Sequence, residues 1–278
     1  MAHPTAPPPA PPATLVTTRK LVAIDVSSGA GIAFRGANWM PERLIIAIDG
    51  PAGTGKSTVA RQLAKRLHVA FLDTGAMYRA AALIAVDRGL SLSDGPAIVR
   101  AVEQANLRFD WSQDPPTLFC GGRGVMDEIR DERVTKVVSP IAGIRELRGL
   151  MVARQREIAR ERRRLVTEGR DQGSVVFPDA DVKFYLDASP QVRAKRRYQE
   201  LLGKGLAADE NQILADIIER DRSDATREVG PLICPPDAER IDTSHMDRDA
   251  VVLELERRVR ARVSVGDDAA GPQGIGHS

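Results

Sequence analysis

Residues Gly50-Pro51-Ala52-Gly53-Thr54-Gly55-Lys56-Ser57 bring three glycines, a lysine and a hydroxyl together in eight positions. They satisfy the pattern G-x-x-x-x-G-K-[S/T]. Each residue type answers a need of phosphate chemistry. Gly50, Gly53 and Gly55 let the backbone turn tightly and aim N–H groups at phosphate oxygens, and a following helix N-terminus adds positive potential. Lys56 can reach β- and γ-phosphates, and Ser57 can ligate Mg²⁺, a hard cation that takes oxygen donors. Gly50 to Thr58 is therefore the candidate ATP-binding segment. A third glycine in the dinucleotide pattern G-x-G-x-x-G is absent, because Thr58 stands there.

Further cationic residues stand where an acceptor would lie. Asp73-Thr74-Gly75-Ala76-Met77-Tyr78-Arg79 and Gly169-Arg170-Asp171-Gln172-Gly173 each follow a short apolar run. Both should therefore reach the ligand-binding edge of a sheet. Arg220, Asp224 and Arg227 are spaced four and three apart, which places them on one helical face. They suit either a phosphate socket or a surface ladder of charge pairs. Arg193, Arg196 and Arg197 read either as a solvated face or as a mobile lid that grips ATP.

The elements that must position these residues follow from periodicity. Leu44 to Ile48 is an unbroken apolar run of the kind expected in a central parallel strand. Val59, Leu63 and Leu67 recur every fourth residue, predicting a helix over 56–67 directly after the glycine loop. Ala70 to Leu72 predicts a second strand and Ala76 to Asp87 a helix that Gly89 ends. Residues 106–126 read as short extended pieces with turn signals, a small inserted sheet, and helices are predicted over about 132–138 and 144–164. Strands resume at Leu165 to Thr167, Val182 to Leu186 and Arg240 to Asp242. Helices are predicted from Pro190 to Leu202 and from about Arg248 to Val263. Helices alternating with short apolar strands imply a doubly wound parallel sheet.

Composition narrows the classes. Forty Lys plus Arg against thirty-eight Asp plus Glu gives +2, with no general pull toward nucleic acid or membrane. Only seven of the basic residues are lysines, so arginine, which suits bidentate phosphate contacts, dominates. Cys120 and Cys234 form no metal or disulfide pattern, which fits a reducing cytoplasm, and no apolar stretch approaches the roughly 20 residues of a membrane span. Residues 1–42 read as a disordered extension with Met40 as the physiological start, 43–265 as the folded domain that carries the phosphate loop and 266–278 as a disordered tail. No NKxD motif occurs and DxxG falls only at Asp268, disfavouring a GTPase; the HRD and DFG signatures of protein kinases are missing too.

The strings IDGPAGTGKST, LDTGAMYR, EGRDQGSVVFPDADVKFYLDAS, RAKRR and ERDRSDATREVGPL together resemble the bacterial cytidylate kinase family, from Leu44 to about Val263. The resemblance implies an α/β P-loop NTPase fold with a five-stranded parallel sheet flanked by helices. It also implies a CMP-binding insertion at about 106–150 and a short helical lid at about 190–208. Carried over by motif, Ser139, Arg148 and Asp171 are the expected cytosine readers, and Arg220 and Asp224 meet the ribose and nearby phosphate. Thr74, Tyr78, Arg79, Arg170 and Arg227 are expected elsewhere around the acceptor. Thr74 and Ser174 stand where the family would carry serine and threonine, and both keep a hydroxyl.

A carboxylate can accept from the cytosine N4 amino group while arginine donates to N3 or O2, a pattern that uracil reverses. The resemblance therefore implies a monomeric (d)CMP kinase that uses ATP and Mg²⁺. Its expected catalytic set is Lys56, Arg79, Arg170, Arg196 and Arg197. The alternatives are a P-loop kinase acting on UMP, AMP or a non-nucleotide acid, and a regulatory RNA-binding module suggested by the arginines of 154–164.

Overall fold

The computed structural model describes residues 40–268. Strand β1 (Leu44–Asp49) is buried along its whole length. Leu44, Ile46 and Ile48 enter one core and Ile45 the other, as the alternation of side chains along a strand demands. A strand apolar on both faces must be covered on both, and β1 lies at the centre of a parallel sheet in the order β2-β6-β1-β7-β8. The partners are β2 (Ala70–Asp73), β6 (Arg164–Glu168), β7 (Val182–Asp187) and β8 (Glu239–Asp242).

One face is covered by α1 (Lys56–Leu67) and α9 (Arg248–Asp268), whose Leu63, Leu67, Leu255 and Val259 pack with Leu44, Ile46 and Ile48. The other carries α2 (Thr74–Asp87), α3 (Gly95–Gln104) and α6 (Arg145–Arg162), packed with Ile45, Leu72 and Leu165. Each fully buried Leu or Ile contributes roughly 1.5–3 kcal/mol. These two layers therefore hold the strand ends rigidly enough to present loops. The order of strands reverses at β1, so the crevice beyond the carboxyl ends of β1, β6 and β7 is the natural ligand site.

Residues 106–126 form the expected small sheet, antiparallel in the order β3 (Arg108–Asp110), β4 (Thr117–Cys120), β5 (Arg123–Gly124). The helix predicted over 132–138 is instead two short ones, α4 (Glu132–Thr135) and α5 (Val138–Ala142), which pack on α2. Helix α3 has no counterpart in the sequence reading, although Asp94 caps Ala97 N at 2.9 Å and a proline occupies its first turn. Helices α7 (Pro190–Gly203) and α8 (Glu210–Thr226) pack against each other.

Two boundaries shift. Met40 and Pro41, placed in the extension by sequence, offer carbonyls to Arg164 at 3.3 and 2.7 Å. At the other end α9 continues to Asp268 rather than stopping near Val263. The expectations for residues 1–39 and 269–278 lie outside the described residues.

Candidate active site

The glycine loop leaves β1 at Gly50, where φ is +146° and a side chain would strike the Leu186 carbonyl of β7. Gly53 and Gly55 take φ of +81° and +85°, so glycine is required for the turn that hands the chain to α1. The loop is braced internally: Thr54 Oγ1 donates to Pro51 O at 3.2 Å and Lys56 Nζ to the same carbonyl at 2.7 Å. Ala52 O accepts from Arg193 Nη1 at 2.9 Å. Burial, and then the neighbouring Arg170, push the Lys56 ammonium down to about 7. Phosphates in the loop would reverse that pressure. Ser57 and Thr58 sit in the exposed first turn of α1.

Glu168, which opens the EGRDQGS string without being singled out there, ends β6 at 4% exposure and accepts from Ser57 Oγ at 2.9 Å. Asp73, at the end of β2, lies beside it; burial and the Glu168 charge push the Asp73 carboxyl up to about 7. Among the described residues no group of three or more His, Cys, Asp or Glu could hold a metal. One hydroxyl with one or two carboxylates, beside a phosphate loop, is the sparse donor set that Mg²⁺ accepts while keeping waters and substrate oxygens. Ser57 with Glu168 therefore fits the expected cation.

The residues expected from sequence to meet the acceptor cluster beyond the ends of β2 and β6. Asp171 and Arg148, 4% and 3% exposed, form a buried ion pair. Arg148 Nη1 also donates to Ala142 O of α5 at 3.1 Å, and its Cζ lies 5.6 Å from the Tyr78 ring centroid. Burial, with the nearby Asp171 charge, lifts the Tyr78 phenol to about 12. Ser139 on α5 stands 3.3 Å from Ser223 of α8. Thr74 Oγ1 donates to Glu168 O at 2.7 Å, fixing the start of α2 against β6. Arg79 turns to Ile129 O and Thr135 Oγ1 at 3.2 and 2.9 Å. Its guanidinium is depressed by burial and, beyond that, by Arg130, Arg170 and Arg197 nearby.

Asp224 is no member of a solvated ladder. At 6% exposure it accepts from Arg170 Nε at 2.8 Å and from Arg227 Nη2 at 3.1 Å. Arg227 lies just past the end of α8 with ψ 133°, so the shared helical face expected from sequence stops at Asp224. Its Nη1 reaches Ala142 O at 3.4 Å. Arg170 keeps a raised affinity for its proton; burial opposes it, but the Asp224 and Glu168 carboxylates outweigh that cost.

The lid arginines separate. Arg193 is 2% exposed and ties α7 to Ala188 O, to Ala52 O and, at 2.6 Å, to Asp221. Arg196 is not brought to the phosphate loop: it donates to Thr243 O at 2.6 Å and to Met246 O at 3.3 Å, after β8. Arg197 is half-exposed and pairs with Glu200 at 2.8 Å. The arginines of 154–164 do not form a free basic face: Arg154 pairs with Glu157, and Arg156 donates to Val175 O and Val176 O.

Among the described residues, seven buried side-chain polar atoms lack a partner, and Arg148 Nε, Arg220 Nε and Arg227 Nε are three of them. Burial, followed by repulsion from Arg170, pushes the Arg220 guanidinium down to about 10. Unpaired buried donors are costly. Arg227 lies close enough to Arg148 and Arg170, and Arg220 close enough to Arg170, for their charges to repel, so the three unpartnered donors belong to one cationic cluster.

Comparison with known proteins agrees with this geometry. Residues 46–261 match the family described as Cytidylate kinase. A cytidylate kinase of Nocardia farcinica is 46% identical over 223 residues, covering 80% of this chain and 96% of the relative. One from Pelotomaculum thermopropionicum is 47% identical over 218 residues, covering 78% and 96%. One from Rhodococcus jostii is 45% identical over 226 residues, covering 81% and 98%.

Proposed function

The chain belongs to the cytidylate kinase family, and on that premise we propose that it transfers the γ-phosphoryl group of ATP directly, in line, to CMP or dCMP. The products are ADP with CDP or dCDP. It is a nucleoside monophosphate kinase that phosphorylates CMP. The observation that carries the reading is Arg220, a guanidinium depressed by burial and by Arg170, whose Nε has no protein partner. A half-buried cation repelled by Arg170 and Arg79, and only partly offset by Asp224 and Asp221, is stabilised further when an anion arrives.

The phosphate of CMP, with a second pKa near 6, is largely dianionic at neutral pH, so the transfer needs no general base. What the protein must supply is position and charge neutralisation for two anions. Gly50 to Thr58 cradles the ATP phosphates, and Lys56 leaves the Pro51 carbonyl to donate to the β- and γ-phosphates. Ser57, with Glu168 behind it, would hold a Mg²⁺ that neutralises charge on the phosphate oxygens. Arg79, Arg170, Arg220 and Arg227 receive the acceptor phosphate, with Asp224 orienting Arg170 and Arg227 and meeting the ribose. Thr74 and Tyr78 shape the wall of the acceptor site. Arg148 and Asp171, with Ser139, read cytosine: the carboxylate accepts from N4 and the guanidinium donates to N3 or O2.

Residues 190–208 act as the lid. Arg197, close enough to depress Arg79, swings to the transferring phosphoryl group, and Arg196 braces the lid base through Thr243. Closure excludes water that would otherwise hydrolyse ATP. No described helix is long and apolar enough to cross a membrane, and Cys120 and Cys234 are unpaired; a cytoplasmic enzyme fits both. The test is ADP release with CMP, dCMP, UMP and AMP in turn, with Lys56→Ala as control. CMP and dCMP should be fastest; equal rates with all four, or full activity in the control, would refute the assignment.

A further inference from the structure

Asp49 is the last residue of β1, immediately before the phosphate loop, and is 2% exposed. Its carboxylate is taken up by the segment that follows β6. Oδ1 accepts from Gln172 N at 2.8 Å and Oδ2 from Gly173 N at 2.7 Å. One residue earlier, Ile48 O accepts from Gly169 N at 3.0 Å. Arg170 and Asp171 are therefore a two-residue projection whose flanks are both fastened to residues 48 and 49.

The fastening is shaped for a carboxylate. Two adjacent N–H groups meet two acceptor oxygens, a match no other side chain of this length offers. Gly173 lies against it: a Cβ there would touch Asp49 Oδ2 at 3.4 Å and press closer, at 3.2 Å, on the Lys183 stem. The Gln172 side chain, 1% exposed, is held in turn by Thr167 Oγ1 at 2.8 Å and by Gln155 at 3.2 Å. The loop is thus fixed by backbone and side chain alike, while Asp171 itself stays available to pair with Arg148.

We propose that Asp49 is a positioning residue that sets base specificity, registering the cytosine-reading pair Arg148–Asp171 against the phosphate loop so that donor and acceptor sites keep one spacing. It touches neither substrate. The inference rests on the reading of Asp171 as the cytosine acceptor. An acceptor site displaced by half an ångström still binds a pyrimidine nucleotide but loses the geometry by which N4 is distinguished from O4.

The test uses Asp49→Asn, which puts an amide N–H₂ against one of the two backbone donors, and Gly173→Ala, which sets a methyl group against Asp49 Oδ2 and the Lys183 stem and so shifts the fastened residue without altering β1. For each, kcat/KM is measured with CMP and UMP, and binding of a non-hydrolysable ATP analogue is measured without acceptor. The preference for CMP over UMP should fall about tenfold or more in both variants, with affinity for the analogue within threefold of wild type. An unchanged preference in both overturns the inference. So does a loss of analogue affinity that accounts for the whole effect, because Asp49 would then serve only the phosphate loop. If Asp49→Asn fails to fold, Gly173→Ala decides alone, and if both fail, wild-type amide exchange decides: slow exchange at Gln172 and Gly173 in the free protein is expected, and fast exchange overturns the fastening. A wild type that does not prefer CMP would instead sink the functional reading beneath it.

Discussion

Arg220→Met separates function from stability in opposite directions. The guanidinium is pushed from its ordinary 12.5 to about 10, first by burial and then by Arg170. At about 1.4 kcal/mol per tenfold in an equilibrium, that amounts to roughly 3 kcal/mol against the charged form. Because the side chain is only half-buried, solvent screening reduces the figure to about 1 kcal/mol. Methionine keeps the aliphatic stem and removes the charge, so the ligand-free protein should melt no lower than wild type and up to about 2–4 °C higher. Binding must suffer, since hydrogen bonds to charged groups contribute about 1.5–3 kcal/mol, or roughly ten- to a hundred-fold in KM for CMP. Differential scanning fluorimetry without ligand, paired with coupled ADP release over a range of CMP, measures both. A variant that melts lower while KM for CMP stays within threefold would show Arg220 to be structural, and the anion-socket argument would be wrong.

Other outcomes follow from the same site. Asp171→Asn can turn its amide toward uracil O4, so kcat/KM for CMP should drop by about ten- to a hundred-fold while UMP is used as well as or better than before. Glu168→Gln should raise the Mg²⁺ concentration for half-maximal rate by about ten- to a hundred-fold, and chelation should abolish turnover in both proteins. Lys56→Ala should cost about a hundred- to a thousand-fold in kcat, as loss of a donor to developing charge does elsewhere. Away from the site, Arg257 and then Arg258 hold the Glu254 carboxyl down to about 2 from its ordinary 4.5. A depressed folded value stabilises above the unfolded one and loses that stability as pH falls through the folded one. Glu254→Gln should therefore melt about 2 °C lower at pH 7, and the gap should close between about pH 4.5 and 2.

What sequence conveys well is local. The glycine loop needs glycine at positions with positive φ and a strand and helix on either side, all within about two dozen residues, so its place was legible. The parallel sheet was legible for the same reason, since runs such as Leu44 to Ile48 admit few alternatives. Helix α3 has a start signal in Asp94 and Pro96, but the loop-like residues before it mask that signal. The α8 charge pattern was ambiguous between ladder and socket. Period alone gives a face, whereas the partner that decides, Arg170, lies 54 residues away in the chain.

Glu168 and Asp49 stand inside the motif strings, yet nothing local to either names its partner. Glu168 reaches Ser57 across 111 residues and Asp49 reaches Gly173 across 124. Neither contact can be inferred from composition or spacing, because it depends on β6 lying beside β1. Among the lid arginines, sequence could mark the cluster but not divide its labour. Arg193 and Arg196 are three residues apart on α7, yet one holds Ala52 of the phosphate loop and the other the Thr243 turn beyond β8.

The most direct test is a crystal structure with CMP and a non-hydrolysable ATP analogue bound together. The account predicts the triphosphate in the Gly50–Ser57 turn, with Lys56 released from Pro51 O. It also predicts the cytosine amino group on Asp171 and the acceptor phosphate within hydrogen-bonding reach of Arg170 and Arg220. A pyrimidine bound away from Arg148 and Asp171, or an acceptor phosphate beyond the reach of both arginines, would contradict it.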